Sequence, residues 1–185
     1  MIEEIRQDAD ERMGKSLEVL VSHFARIRTG RANPGLLDGI EVEYYGTLTP
    51  LNQVASVTVE DARTLVISPW EKNLIPEIEK AVLKSDLGIT PSSTSELIRV
   101  PLPALTEENR KDLTRQARQE GENAKIAIRN IRRDAIADIR ELVKEKEVAE
   151  DEAHRAEEEI QKLTDKRVAE IDKLLAAKEA DLMEV

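Results

Sequence analysis

Residues 106–142, TEENRKDLTRQARQEGENAKIAIRNIRRDAIADIREL, decide the fold. They hold no proline and one glycine, Gly121. Thr106 ahead of Glu107 and Glu108 reads as an N-cap with acids in the first turn. On a helix, Leu113, Ala117, Ala124, Ile128, Ile131, Ala135 and Leu142 gather on one side. Roughly 115° round, Lys111, Arg118, Lys125, Arg129, Arg132 and Arg140 fall within about 40° of one line. One face is suited to a core and the other to something negative. Between Arg110 and Arg133, eight cations (Arg110, Lys111, Arg115, Arg118, Lys125, Arg129, Arg132, Arg133) outnumber three acids (Asp112, Glu120, Glu122). The local balance is +5, in a chain of net charge −10.

Onward to Val185 there is no further glycine and no proline. One unbroken helix of that length would run ~120 Å, so a turn is expected near Glu147–Glu150, although a heptad phase (Leu142, Ala149, Ala156, Leu163) passes through it. The last helix then presents Ala153, Ala156, Ile160, Leu163, Ile171, Leu174, Leu175 and Leu182. At the other end Ile2, Ile5, Ala9, Met13, Leu17, Leu20, Phe24 and Ile27 recur every three or four positions, predicting a helix to about Thr29, with Gly30 as its stop.

Between these helical stretches the texture changes. All seven prolines and four of the seven glycines lie in residues 31–104. Strands are expected at Ile40–Tyr44, Val54–Val59, Thr64–Ile67 and Leu97–Val100, with a turn at Tyr45–Thr47, and a short helix opens at Pro76. Trp70 reads as a core anchor of this module. The expected class is α+β: an elongated antiparallel three-helix bundle from 1–30 and 105–185, with a small β/α/β domain, 31–104, inserted on a two-strand hinge. A stripe repeating near 3.5 residues also fits a self-associating coiled coil.

Absence of cysteine removes disulfides and thiolate metal sites and points to a reducing compartment. Met1–Ile5 lacks the pattern of a secretory signal, and no apolar run nears the ~20 residues of a membrane span. A soluble, cytoplasmic protein without membrane contact is expected. Aromatics make up only 2%, which disfavours base stacking and favours contact with phosphates on folded nucleic acid.

Two features carry chemistry. The arginine row suits a polyanion, because the planar guanidinium donates two parallel hydrogen bonds to phosphate. The competing reading is a solvated face neutralised by acids of a neighbouring helix, with Glu157–Glu159 as candidates. The second feature is Arg26, Arg28 and Arg31 in RIRTGRANP, where helix one meets the inserted module. Helix-terminal charge complementation accounts for Arg26 and Arg28 but less well for Arg31. Met13-Gly14-Lys15-Ser16 is not a phosphate loop, since Ala9 stands where the leading glycine belongs. His23 and His154 have no companions for a metal or a catalytic triad. Glu145–Glu159 reads as a solubilising acidic face. No enzyme or cofactor is indicated.

The string Arg26–Pro34 followed by Leu36-Leu37-Asp38-Gly39 resembles the junction of the bacterial ribosome recycling factors. So do Val42–Gly46, Ala55–Asp61, Asp86-Leu87-Gly88, Arg99–Pro103, Leu105–Glu108, Arg110–Leu113 and Arg129–Ala135. The resemblance implies an L-shaped monomer of tRNA-like size, whose bundle lies against large-subunit ribosomal RNA. Elongation factor G, which uses the GTP, then pushes on it to split post-termination ribosomes and free the messenger. It places RNA contacts on Arg28, Arg31, Arg110, Arg129 and Arg132, and the hinge on Gly30, Arg31, Ala104 and Leu105; the rest of the cationic row, Lys111, Arg118, Lys125 and Arg133, supplies weaker candidates. Relatives commonly cap the last helix with serine, where Ala149 stands here.

Overall fold

A computed structural model describes residues 1–184. Its elements run α1 Ile2–Arg26, β1 Glu41–Tyr44, β2 Thr47–Pro50, β3 Ala55–Asp61, β4 Thr64–Pro69, α2 Ile75–Lys84, β5 Ser92–Ser93, β6 Ile98–Pro101, α3 Glu107–Lys144 and α4 Glu150–Met183. Contacts divide them into two compact units. The first comprises Met1–Phe24 with Thr114–Ala180, the second Ala25–Leu113 with the residues from Asp181 onward.

The first unit is a bundle of α1, α3 and α4. Its core follows the expected stripes in the main: Ala9, Met13, Leu17, Leu20 and Phe24 from α1, Ala117, Ala124, Ile128, Ile131 and Ala135 from α3, and Ala153, Ala156, Ile160 and Ile171 from α4 are buried. Ile139 joins them, and Leu142, Leu163, Leu174 and Leu175 are only half-buried. Thr164, unexpected in such a stripe, is buried and donates its hydroxyl to Ile160 O at 2.8 Å, which satisfies it within its own helix. Polar pairs fix the directions. Arg12 meets Asp134 at 3.1 Å and His23 meets Glu120 at 2.7 Å, so α1 and α3 are antiparallel. Arg118 meets Glu179 and Arg140 meets Glu157, so α3 and α4 are antiparallel too. Arg6 with Glu159 and Asp10 with Arg167 make α1 and α4 parallel.

The turn between α3 and α4 occupies residues 145–149, slightly earlier than expected, and α4 starts at Glu150. Lys146 sits at φ 60°. The Glu147 N–H reaches Leu142 O at 2.9 Å and the Lys146 N–H reaches Val143 O at 3.0 Å. This is the Schellman arrangement, in which glycine usually takes the left-handed position. With lysine there instead, the sequence offers no punctuation to read. Lys146→Gly is expected to stabilise the protein by about 0.5–1 kcal/mol, because the left-handed strain is relieved at a place where no helix is lengthened. Thermal melting followed by circular dichroism checks the sign.

In the second unit α1 ends at Arg26, three residues before the expected end at Thr29. The Thr29 hydroxyl accepts the Arg31 N–H at 3.3 Å, a local turn that competes with helix continuation before Gly30 is reached. Beyond it Asn33 caps a single 3₁₀ turn, Pro34–Leu37, by accepting the Gly35 N–H at 2.9 Å. A Cβ on Gly35 would stand 2.9 Å from that of Ala25, so only glycine fits.

Strands β1 and β2 form a hairpin whose two turn residues, Tyr45 and Gly46, both have positive φ, the type I′ geometry that matches strand twist. The larger sheet has the order β3-β4-β6-β5, antiparallel throughout. Leu65, Ile67, Ile98 and Val100 alternate into an aliphatic core completed by Val42, Ile78 and Val82. Strands β2 and β5 carry no strand signal in the sequence: one ends in proline, the other spans two residues. Trp70 is not a core anchor. Its side chain is exposed (66%), while its backbone N–H donates to Val54 O at 3.1 Å. Branched aliphatic residues fill the interior without it.

Both chain segments that enter and leave this module are tied to the β3–β4 turn. The Ala32 N–H donates to Ala62 O and the Leu102 N–H to Arg63 O, each at 2.7 Å. The turn itself is held by Asp61, which accepts the Arg63 N–H at 3.0 Å. That hydrogen bond, first among several causes, keeps the Asp61 carboxyl below its usual range.

Candidate functional site

Helix α3 begins as expected, with Thr106 accepting the Asn109 N–H at 3.1 Å, and its periodicity sends the cationic row away from the buried stripe. In the first unit Arg118 pairs with Glu179 at 2.7 Å, Lys125 with Asp172 at 2.6 Å, Arg129 with Glu122 at 3.3 Å and Arg140 with Glu157 at 3.1 Å. Arg132 donates to the neutral amide of Gln161 at 3.1 Å. Arg133 is exposed and has no such partner among the described residues. The neutralising acids considered from sequence are therefore real, with Glu157 among them. Glu179 and Asp172, by contrast, lie far along α4, where nothing in the sequence points to them.

Magnitudes decide what this pairing means. Solvent-exposed ion pairs contribute about 0–1 kcal/mol each, whereas a charge-assisted bond from arginine to phosphate contributes roughly 1.5–3 kcal/mol. Arg118 keeps 65% of its side chain exposed, and Arg129 is likewise open on the surface. Such pairs orient guanidinium groups without sequestering them. Lys125 is the exception, with only 21% of its side chain exposed. It is better described as a strut between α3 and α4 than as a contact for an external anion.

The second unit holds the remaining cations. Lys111 lies 3.7 Å from Glu107 on its own helix. Arg110 Nη1 donates to the carbonyls of Leu182 at 2.8 Å and Glu184 at 2.7 Å, which places a cation on the carbonyl end of α4. Arg31 pairs with the Glu184 carboxylate yet remains widely exposed. Arg28 is half-buried, and its Nε, shielded from solvent, has no hydrogen-bond partner. Burial, and then the nearby charge of Arg63, push the Arg28 guanidinium below its ordinary range. Gly30, Ala104 and Leu105 lie in the connecting segments outside the clamp formed by Ala32, Leu102 and the β3–β4 turn.

Arg63 does not stand out in the sequence. It reads there as one residue of a hairpin connection, and nothing local signals that the turn returns to the Arg28–Arg31 segment. His23, through Glu120, is a link between helices, and His154 lies 3.4 Å from Glu158 on its own helix. Among the described residues no group of histidines and carboxylates is arranged to hold a metal ion. No helix among the described residues is long and apolar enough to cross a membrane.

The family model for ribosome recycling factor matches residues 20–183. The ribosome-recycling factors of Saccharophagus degradans and Hahella chejuensis are each 60% identical over 185 residues, covering all of both chains. That of Marinomonas sp. is 59% identical with the same coverage. Among solved structures, a ribosome recycling factor in solution superposes with a TM-score of 0.78 at 41% identity, over 100% of this chain and 98% of that one. A second match presents models for the T. thermophilus ribosome recycling factor and the E. coli elongation factor G bound to the E. coli post-termination complex. It gives a TM-score of 0.70 at 48% identity over the whole of both chains.

Proposed function

The chain belongs to the ribosome recycling factor family, a family of non-enzymatic translation factors, and from that premise we propose that it acts with elongation factor G on the post-termination ribosome. It splits the ribosome into subunits and releases them from messenger RNA. The hydrolysed GTP is the partner's. The bundle contributes its cationic row to large-subunit ribosomal RNA through Arg129 and Arg132, joined by Arg110, Arg28 and Arg31, with Lys111, Arg118 and Arg133 around them. The observation that carries this is the weakness of the internal partners at the centre of the row: an exposed carboxylate for Arg129, a neutral amide for Arg132 and, for Arg133, none among the described residues. A phosphate exchanges readily for such partners. The protein works as a cytoplasmic monomer.

Residues 31–104 form the part on which elongation factor G pushes, and movement is absorbed at Gly30–Arg31 and Ala104–Leu105. The clamp at Ala32, Ala62, Arg63 and Leu102 supports these positions. It ties both segments to the β3–β4 turn where they meet the module.

Mixing the protein with post-termination ribosomes, elongation factor G and GTP is expected to lower light scattering as free subunits appear. A trace no different from elongation factor G alone rejects the reading.

A further inference from the structure

The second unit contains a cleft of about 490 Å³ lined by Thr29, Gly30, Arg31, Ala62, Arg63 and Glu184 among others. Its floor is the hydrogen-bonded meeting of Ala32 with the β3–β4 turn, so Arg63 is carried in by a fixed backbone. Arg63 is exposed, and among the described residues its side chain has neither a hydrogen-bond nor an ion-pair partner. It lies close enough to Arg28 for the two charges to repel. Like charges brought together this way, one with a shielded and unsatisfied N–H, are relieved by an anion between them. The chain's own anions stand here: Asp61, attracted by the Arg63 charge, and the Glu184 carboxylate on Arg31.

We propose that Arg31 and Arg63, which both line this cleft, form a receiving site for one phosphate of ribosomal RNA, and that Glu184 fills this site in the free protein until the phosphate displaces it. The site extends the RNA-binding reading above and rests on it. Asp181 also borders the cleft, and both acids belong to the end of α4 or the residue after it. Negative charge there opposes the helix dipole, so the acid segment is the natural part to yield. The two guanidinium groups that line the cleft then remain to meet an incoming phosphate. RNA rather than an acidic protein is favoured because the planar fork of arginine matches phosphate oxygens.

The test is binding of the full chain to vacant large ribosomal subunits across a salt series. Arg63→Gln is expected to weaken binding about tenfold and to lower the salt slope by about one, while Arg63→Lys retains most of both. Glu184→Gln is expected to tighten binding severalfold, a gain that no folding defect can imitate, and the gain is expected to vanish when Arg31→Ala is also present. Unchanged affinity and slope for Arg63→Gln, or no gain from Glu184→Gln, overturns the proposal. Arg129→Ala with Arg132→Ala is run alongside. If that pair loses binding while Arg63→Gln does not, only this site falls; if the pair also binds normally, the RNA-binding reading itself has failed.

Discussion

Arg129→Ala and Arg132→Ala together are expected to weaken binding to the large ribosomal subunit by on the order of 100-fold. Each guanidinium contributes roughly 1–3 kcal/mol to a phosphate, and about 1.4 kcal/mol is tenfold in affinity. The salt slope should fall by about two units, one per lost contact. Folding should hardly change. Arg129 leaves behind only the exposed Glu122 at 3.3 Å, and Arg132 only the exposed Gln161 amide, both of which water solvates; such surface changes stay within ~0.5 kcal/mol. Unaltered circular dichroism with reduced binding is therefore the expected pair of results. If the doubly substituted protein binds with its original affinity, the cationic row on α3 is not the docking face. The competing reading, a row kept only to steady α4, then takes its place.

That distinction cannot be drawn from sequence, although much else can. Stripes such as Met13–Leu17–Leu20–Phe24 and Ala124–Ile128–Ile131–Ala135 reveal their helices because a period of 3.6 residues leaves one continuous apolar face. The cations opposite are equally legible. Their partners are not: Arg118 and Glu179, or Lys125 and Asp172, are brought together only by antiparallel packing of α3 on α4. Lys125 shows the consequence, since the spacing that puts it in the row says nothing of how deeply a neighbouring helix covers it. Arg63 escapes for the same reason at a turn. Trp70 misleads because large aromatics usually anchor cores, whereas here aliphatic side chains from the strands and from α2 already fill the space. Lys146 hides the last turn by occupying a glycine's conformation.

Ile128 stands one residue before Arg129, is 0% exposed, and is expected to show the converse behaviour. Ile128→Ala removes most of a fully buried side chain from the bundle core and leaves a cavity that helices of this length cannot fully close, a loss of roughly 2–5 kcal/mol. Against a total stability of about 5–15 kcal/mol that is a large fraction, and at ~2–4 °C per kcal/mol for a chain of this size the melting temperature should drop by roughly 10 °C. Below that transition the helix still presents Arg129 and Arg132 in register, so affinity for the large subunit should stay within about twofold. Adjacent positions on one helix would thus separate stability from binding, Ile128 altering the first and Arg129 the second. A melting shift of only a degree or two for Ile128→Ala would mean that this stripe does not form the packed interior. Equal loss of binding in both variants, measured at a temperature where each is folded, would mean that the cationic row depends on core packing rather than acting as a surface of its own.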